Sequence, residues 1–227
     1  MRKTLAALAV GISAFVMNAA AEPWTSPDSK ISFDKPAGWA VQPQPADGFT
    51  YILTGSGDAQ CDLMSSPRPT TATTEGDLIR DAGKVAIAPE AWSSIVGVVP
   101  DVFGGGTATL VSHDVKTDSF WPVNVADFNA PNGHVVHAAI QFRPGVEIWA
   151  FCQSNSGHDD AAAFAALLRS VGLPNDAELQ ASAEQAAHRR ETQRVMARSQ
   201  HDQASRSAMG QNLDDMNTRA AIGNMAH

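Results

Sequence analysis

The chain has 227 residues, of which 44 % are apolar and 18 % charged, with a formal net charge of −8. That length accommodates one domain and an additional piece. Residues 22–174 carry 8 Lys and Arg against 17 Asp and Glu, a net of −9, which argues against nucleic acid as a partner, because binding a phosphate backbone needs a basic patch that releases counterions.

The chain starts with a cationic Met1-Arg2-Lys3, continues with an uncharged apolar run from Leu5 to Met17, and then offers small residues up to Ala21. This is the pattern of a secretory signal peptide cut between Ala21 and Glu22. The run is about 13 residues, short of the ~20 that span a bilayer. The expectation is export, most naturally to a periplasm, with no transmembrane segment in the mature chain.

Glu22 to Lys30 holds two prolines and reads as an extended lead-in. In ISFDKPAGWAVQPQ, Ile31 and Phe33 alternate with polar neighbours, Pro36-Ala37-Gly38 turns, and Trp39 and Val41 resume the alternation, which is strand periodicity. FTYILT at 49–54 and AQCDLMS at 59–65 flank the turn GSGD and predict a hairpin, with Cys61 and Leu63 on one face. After a loop from Pro67, Leu78, Ile79, Ala82, Val85 and Ala86 recur at helical spacing, with Thr74 and Asp77 in capping-box positions. Pro89 ends that helix or begins a second one through Trp92 to Val96.

Gly104-Gly105-Gly106 lacks the Gly-Lys-Ser/Thr of a nucleotide loop and precedes a strand, so it reads as a connection. Strands are predicted over 107–115 and 121–128. Asn132-Gly133 is a strong hairpin signal, and strands at 135–142 and 146–152 meet across Pro144-Gly145. Asp159 to Val171 is a helix with Phe164, Leu167, Leu168 and Val171 as its apolar stripe. These elements predict an α+β domain at 22–174: a mostly antiparallel sheet of six to seven strands with helices on both faces.

ISFDKPAGW, the paired final strands ending in EIWAFCQS, and the helix ending LLRSVGL together resemble PsbP-like domains over roughly 31–173. The resemblance implies an α/β/α sandwich and a non-catalytic role, since members of that fold dock on larger assemblies. It transfers no functional residue.

FCQSNSGHDD at 151–160 gathers chemistry-bearing side chains. The strand alternation places Cys152 with Val146, Ile148 and Ala150 on one face, and Trp149 and Phe151 on the other. Cys61 and Cys152, both in strands of an exported chain, are expected to form a disulfide, with two buried free thiols as the other reading. Ser156 or Asp159 fits the N-cap of the following helix. A Ser–His–Asp triad here has no Gly-x-Ser-x-Gly elbow behind it. An envelope enzyme using Cys152 or His158 is therefore the remote alternative, and catalytic residues and cofactors are expected to be absent. His113, Asp114, His134, His137 and His158 are the candidate metal ligands, but His134 and His137 are three apart on a strand and point to opposite faces. With HExxH and CxxC missing, the expectation is no metal site. Trp39 and Trp149 read as core.

Residues 175–227 hold no aromatic and few large apolar side chains, in an Ala, Gln, Glu and Arg background. This is a polar helical tail, expected to fray beyond 207, with no sustained heptad. Arg189, Arg190, Arg194 and Arg198 are the candidate docking residues. The overall expectation is a non-enzymatic interaction or assembly protein with an envelope partner and weak self-association through the tail. The alternative is a small-ligand or metal-binding protein using a pocket on the sheet.

Overall fold

The computed structural model describes residues 21–28, 30–43, 51–55, 58–67, 75–99, 104–154 and 160–225, the side chains of the last helix being described to Leu213. Among these residues nine strands and four helices follow in chain order: β1 Glu22–Thr25, β2 Ser32–Lys35, β3 Ala40–Pro43, β4 Tyr51–Thr54, β5 Gln60–Pro67, α1 Gly76–Gly83, α2 Pro89–Val98, β6 Thr109–Lys116, β7 Val123–Asn129, β8 Val135–Arg143, β9 Val146–Ser154, α3 Ala161–Ser170 and α4 Asp176–Met225. Seven strands form one antiparallel sheet in the order β3-β4-β5-β9-β8-β7-β6, so the expected sheet and its antiparallel pairing are present.

Glu22–Thr25, read from sequence as a lead-in, is instead a strand paired with Ser32–Lys35 in a separate two-stranded sheet. The turn between them is tied by Ser26, whose Oγ accepts from the amides of Lys30 and Ile31 at 2.9 and 3.1 Å. Ser32 and Gly172 exchange both backbone hydrogen bonds, which fastens β2 to the chain just after α3.

Period-two alternation in β9 divides the core into two layers. Ile148, Ala150 and Cys152 face a layer that holds Phe33, Leu53, Cys61 and Leu63 with Phe164, Leu167 and Leu168 of α3. Phe151, Val136 and Ile140 face the other, with Trp92 and Val96 of α2. Helices therefore cover both faces, as the apolar side chains on both sides of β9 require. Trp39 is buried in the first layer. Trp149 is only partly buried against the second, its indole N–H donating to Glu147 at 3.1 Å.

Pro89 starts α2 in the first helical turn, where its missing N–H costs nothing. Glu75 holds the N-cap position of α1 without a side-chain cap hydrogen bond, and Thr74 of the expected capping box lies outside the described residues. Ser156, His158 and Asp159 also lie outside them. Asp160, at the N-cap position of α3, makes no side-chain cap bond.

The two edges of the large sheet differ. β3 is short and ends in Pro43. β6 is eight residues long, almost wholly exposed, and carries a register irregularity between Leu110 and Ser112.

Asp62 of β5 is buried opposite Phe151, with Gln60 Nε2 donating to both its carboxylate oxygens at 3.0 and 3.1 Å. Burial raises its pKa to about 6, against the Gln60 hydrogen bond that lowers it. The folded chain thus keeps this proton to higher pH than the unfolded chain, so stability falls as pH rises from about 4 through about 6. The cost reaches about 3 kcal/mol above that window. Asp62→Asn, neutral at every pH, is expected to gain up to about that much on the wild type between pH 4 and pH 7.5. Urea unfolding at both pH values checks this; a constant difference would show that Asp62 does not titrate in that window.

Candidate functional site: an anchored helix with a free half, and an open groove

α4 is fixed to the sandwich at its start and along its first turns. Asp176 accepts from Arg143 Nε at 3.0 Å and from the Leu173 amide at 3.1 Å. Arg143 is buried at the end of β8; it also donates to Gln141 at 2.7 Å and lies over the Trp121 ring at 4.8 Å. Burial lowers its pKa and Asp176 opposes the shift, and an arginine remains charged in either case. About two to three turns on, Ala183 and Ala186 are buried. Gly76 of α1 meets this face so closely that a Cβ on it would stand 3.1 Å from the Ala183 Cβ.

The last anchor is Arg190. It pairs with Glu75 and Asp77 at the start of α1, its Nε donating to Asp77 at 2.8 Å. Asp77 is buried, so this guanidinium is what lets a carboxylate sit there. Arg190 therefore leaves the set expected to meet a partner, because its charge is used inside the chain. Arg189, Arg194 and Arg198 stay exposed, with Glu191 3.9 Å from Arg194. The sequence offers only part of this anchor: Ala183, Ala186 and Arg190 share one helix face, whereas the burial of Asp77, which calls for a cation, shows only in the fold.

From Gln193 to Leu213 every side chain is exposed. The helix nonetheless continues to Met225, beyond the fraying expected at 207. No proline follows Pro174 to break it. At 1.5 Å per residue the half beyond the last anchor is roughly 50 Å long. Among the described residues no helix is long and apolar enough to cross a membrane.

The second feature is a groove of about 760 Å³ between α3 and the outer strands β6 and β7. One row of directly opposed residues crosses the whole sheet on this face: Val41, Leu53, Cys61, Cys152, His137, Asp127 and Ser112. Its apolar end lies under the core, and its polar end forms part of the groove floor.

Cys61 and Cys152 are joined in a disulfide, fully buried, in the middle of that row. The expected pairing is present, so Cys152 has no thiolate to offer as a nucleophile. Beside it, His137 Nδ1 meets Asp127 Oδ1 at 2.7 Å, and Ser112 Oγ donates to Asp127 Oδ2 at 2.6 Å. The carboxylate stands between serine and histidine. In a catalytic triad the imidazole does, so Ser112 is not activated by His137. His113 lines the groove too, and His134 is engaged at the hairpin by Asn132 and Gln153. Among the described residues no three His, Cys, Asp or Glu side chains gather as a metal site would require. Lys116 is paired with Asp114 at 2.6 Å.

Among solved structures, the solution structure of cyanobacterial PsbP (CyanoP) from Synechocystis sp. PCC 6803 matches 72 % of this chain and 98 % of its own, with a TM-score of 0.50 and 14 % identity. The fold is PsbP-like. A crystal structure from Bacteroides thetaiotaomicron VPI-5482 covers 69 % of this chain and 49 % of its own at a TM-score of 0.41 and 12 % identity. No family model matches the chain, and no curated protein does. The PsbP-like likeness extends over the architecture of sheet and helices; at this identity it assigns no role to Asp127, His137 or the arginines of α4.

Proposed function

We propose that this chain is an exported, non-catalytic interaction protein whose PsbP-like sandwich fixes the direction of α4, and whose free half of α4 meets the partner. The observation that carries the reading is the change at Arg190: each turn before it is tied to the sandwich, and every described side chain from Gln193 onward is exposed. A helix of mostly polar sequence with nothing to pack against gains little from folding alone. Its stiffness is useful when it presents a surface away from the body. The leader-like start and the disulfide support export to an oxidising compartment such as a periplasm.

The groove supports the alternative of a small-ligand protein, with the Asp127–His137 pair and Arg169 on its walls. One comparison separates the two. In crosslinking from cell envelopes, the full mature chain is expected to capture a partner that a chain ending at Thr192 does not, while both melt at the same temperature. Equal capture by both chains would move the interface to the sandwich, and capture by neither would remove the docking reading.

A further inference from the structure

Among its described residues, the free half of α4 presents an ordered face. At ~100° per residue, Val195, Ser199, Asp202, Arg206, Met209 and Leu213 point the same way, at alternating spacings of four and three. That is the spacing of a coiled-coil seam, although polar side chains interrupt it. Val195, Met209 and Leu213 are each 60–66 % exposed. Val195, Ser199, Asp202 and Arg206 border a shallow depression of about 500 Å³. The face lies roughly 150° around the helix from Ala183, Ala186 and Arg190, so a helix laid on it points away from the sandwich.

The order of the charges selects the occupant. In a parallel pair, Asp202 would meet Asp202 and Arg206 would meet Arg206, and like charges across a seam repel. In an antiparallel pair about a two-fold axis at Ala204, every position finds a complement. Each Asp202 faces Arg206 of the other copy, giving two ion pairs at the centre. Ser199 faces Met209, small against large, and Val195 faces Leu213, apolar against apolar. We propose that the free half of α4 pairs in this antiparallel register with the same segment of a second copy of the chain. The inference rests on the reading of α4 as the interaction surface and names what it binds. A C2 pairing is self-complementary by necessity, and this stretch has that property in sequence.

The test is the mass of the full mature chain in solution as its concentration is raised, by sedimentation equilibrium. The wild type is expected to approach twice the monomer mass. Asp202→Arg alone and Arg206→Asp alone each place like charges opposite one another, and each is expected to weaken the dimer about tenfold or more. The two changes combined in one chain restore it. Mixing the two single variants yields a heterodimer that neither forms alone. A wild type that stays monomeric, single variants that dimerise as well as wild type, or a double variant that fails to recover would each overturn the pairing. A monomeric chain that still loses a different envelope protein on truncation at Thr192 refutes self-pairing and leaves the wider reading of α4 intact.

Discussion

Replacing both Cys61 and Cys152 by alanine is expected to cost the sandwich up to about 4–5 kcal/mol, the chain-entropy value for a loop of this size. The two cysteines are 91 residues apart in sequence and directly opposed on β5 and β9. The crosslink therefore restricts an unfolded chain that would otherwise explore a long loop. Among the strands, β5 and β9 are also where the hairpin β3–β4–β5 joins the hairpins β6 to β9. With a denaturant dependence of about 2 kcal/mol per molar, the urea midpoint should fall by roughly 2 M. Wild type unfolded with a thiol reductant present should show the same lowered midpoint, and the alanine variant should be indifferent to reductant. Coincident curves for wild type and variant without reductant would show that the bond does not stabilise the fold.

Arg190→Ala is expected to destabilise the protein by roughly 3–5 kcal/mol, the range for breaking a buried pair from one side. The loss arises less from the missing attraction than from Asp77, which stays buried without its cation. Replacing both partners with apolar residues, Asp77→Leu with Arg190→Met, removes that penalty and should recover most of the stability. Thermal melts of the two singles and the double form a cycle that isolates the coupling. A loss under about 1 kcal/mol for Arg190→Ala would place the pair among exposed ion pairs that water screens.

Local pattern made much of the fold legible. Alternation in β9 separated Ile148, Ala150 and Cys152 from Trp149 and Phe151, and the two core layers follow that division. Asn132-Gly133 and Pro144-Gly145 gave their hairpins. Features that depend on distant partners were not legible. Glu22–Thr25 pairs with β2 in a sheet of two strands, and Pro23 within it and Pro27 just after it hid it. Arg190 is 113 positions from Asp77, so a residue expected to face outward holds the helix down. Asp127 and His137 meet because β7 and β8 are in one particular register. A one-residue slip would put them on opposite faces, and no composition argument fixes that.

The long exposed strand β6 bears on how copies of the chain can meet. An edge with unpaired amides and carbonyls invites a further strand, which is the route to fibrous aggregation. Here the irregularity at Leu110/Ser112 twists the edge, and His113, Asp114 and Lys116 charge or polarise it. The opposite edge is blocked by the brevity of β3 and by Pro43, which has no amide to donate. Among the described residues, both margins of the sheet thus discourage growth by strand addition.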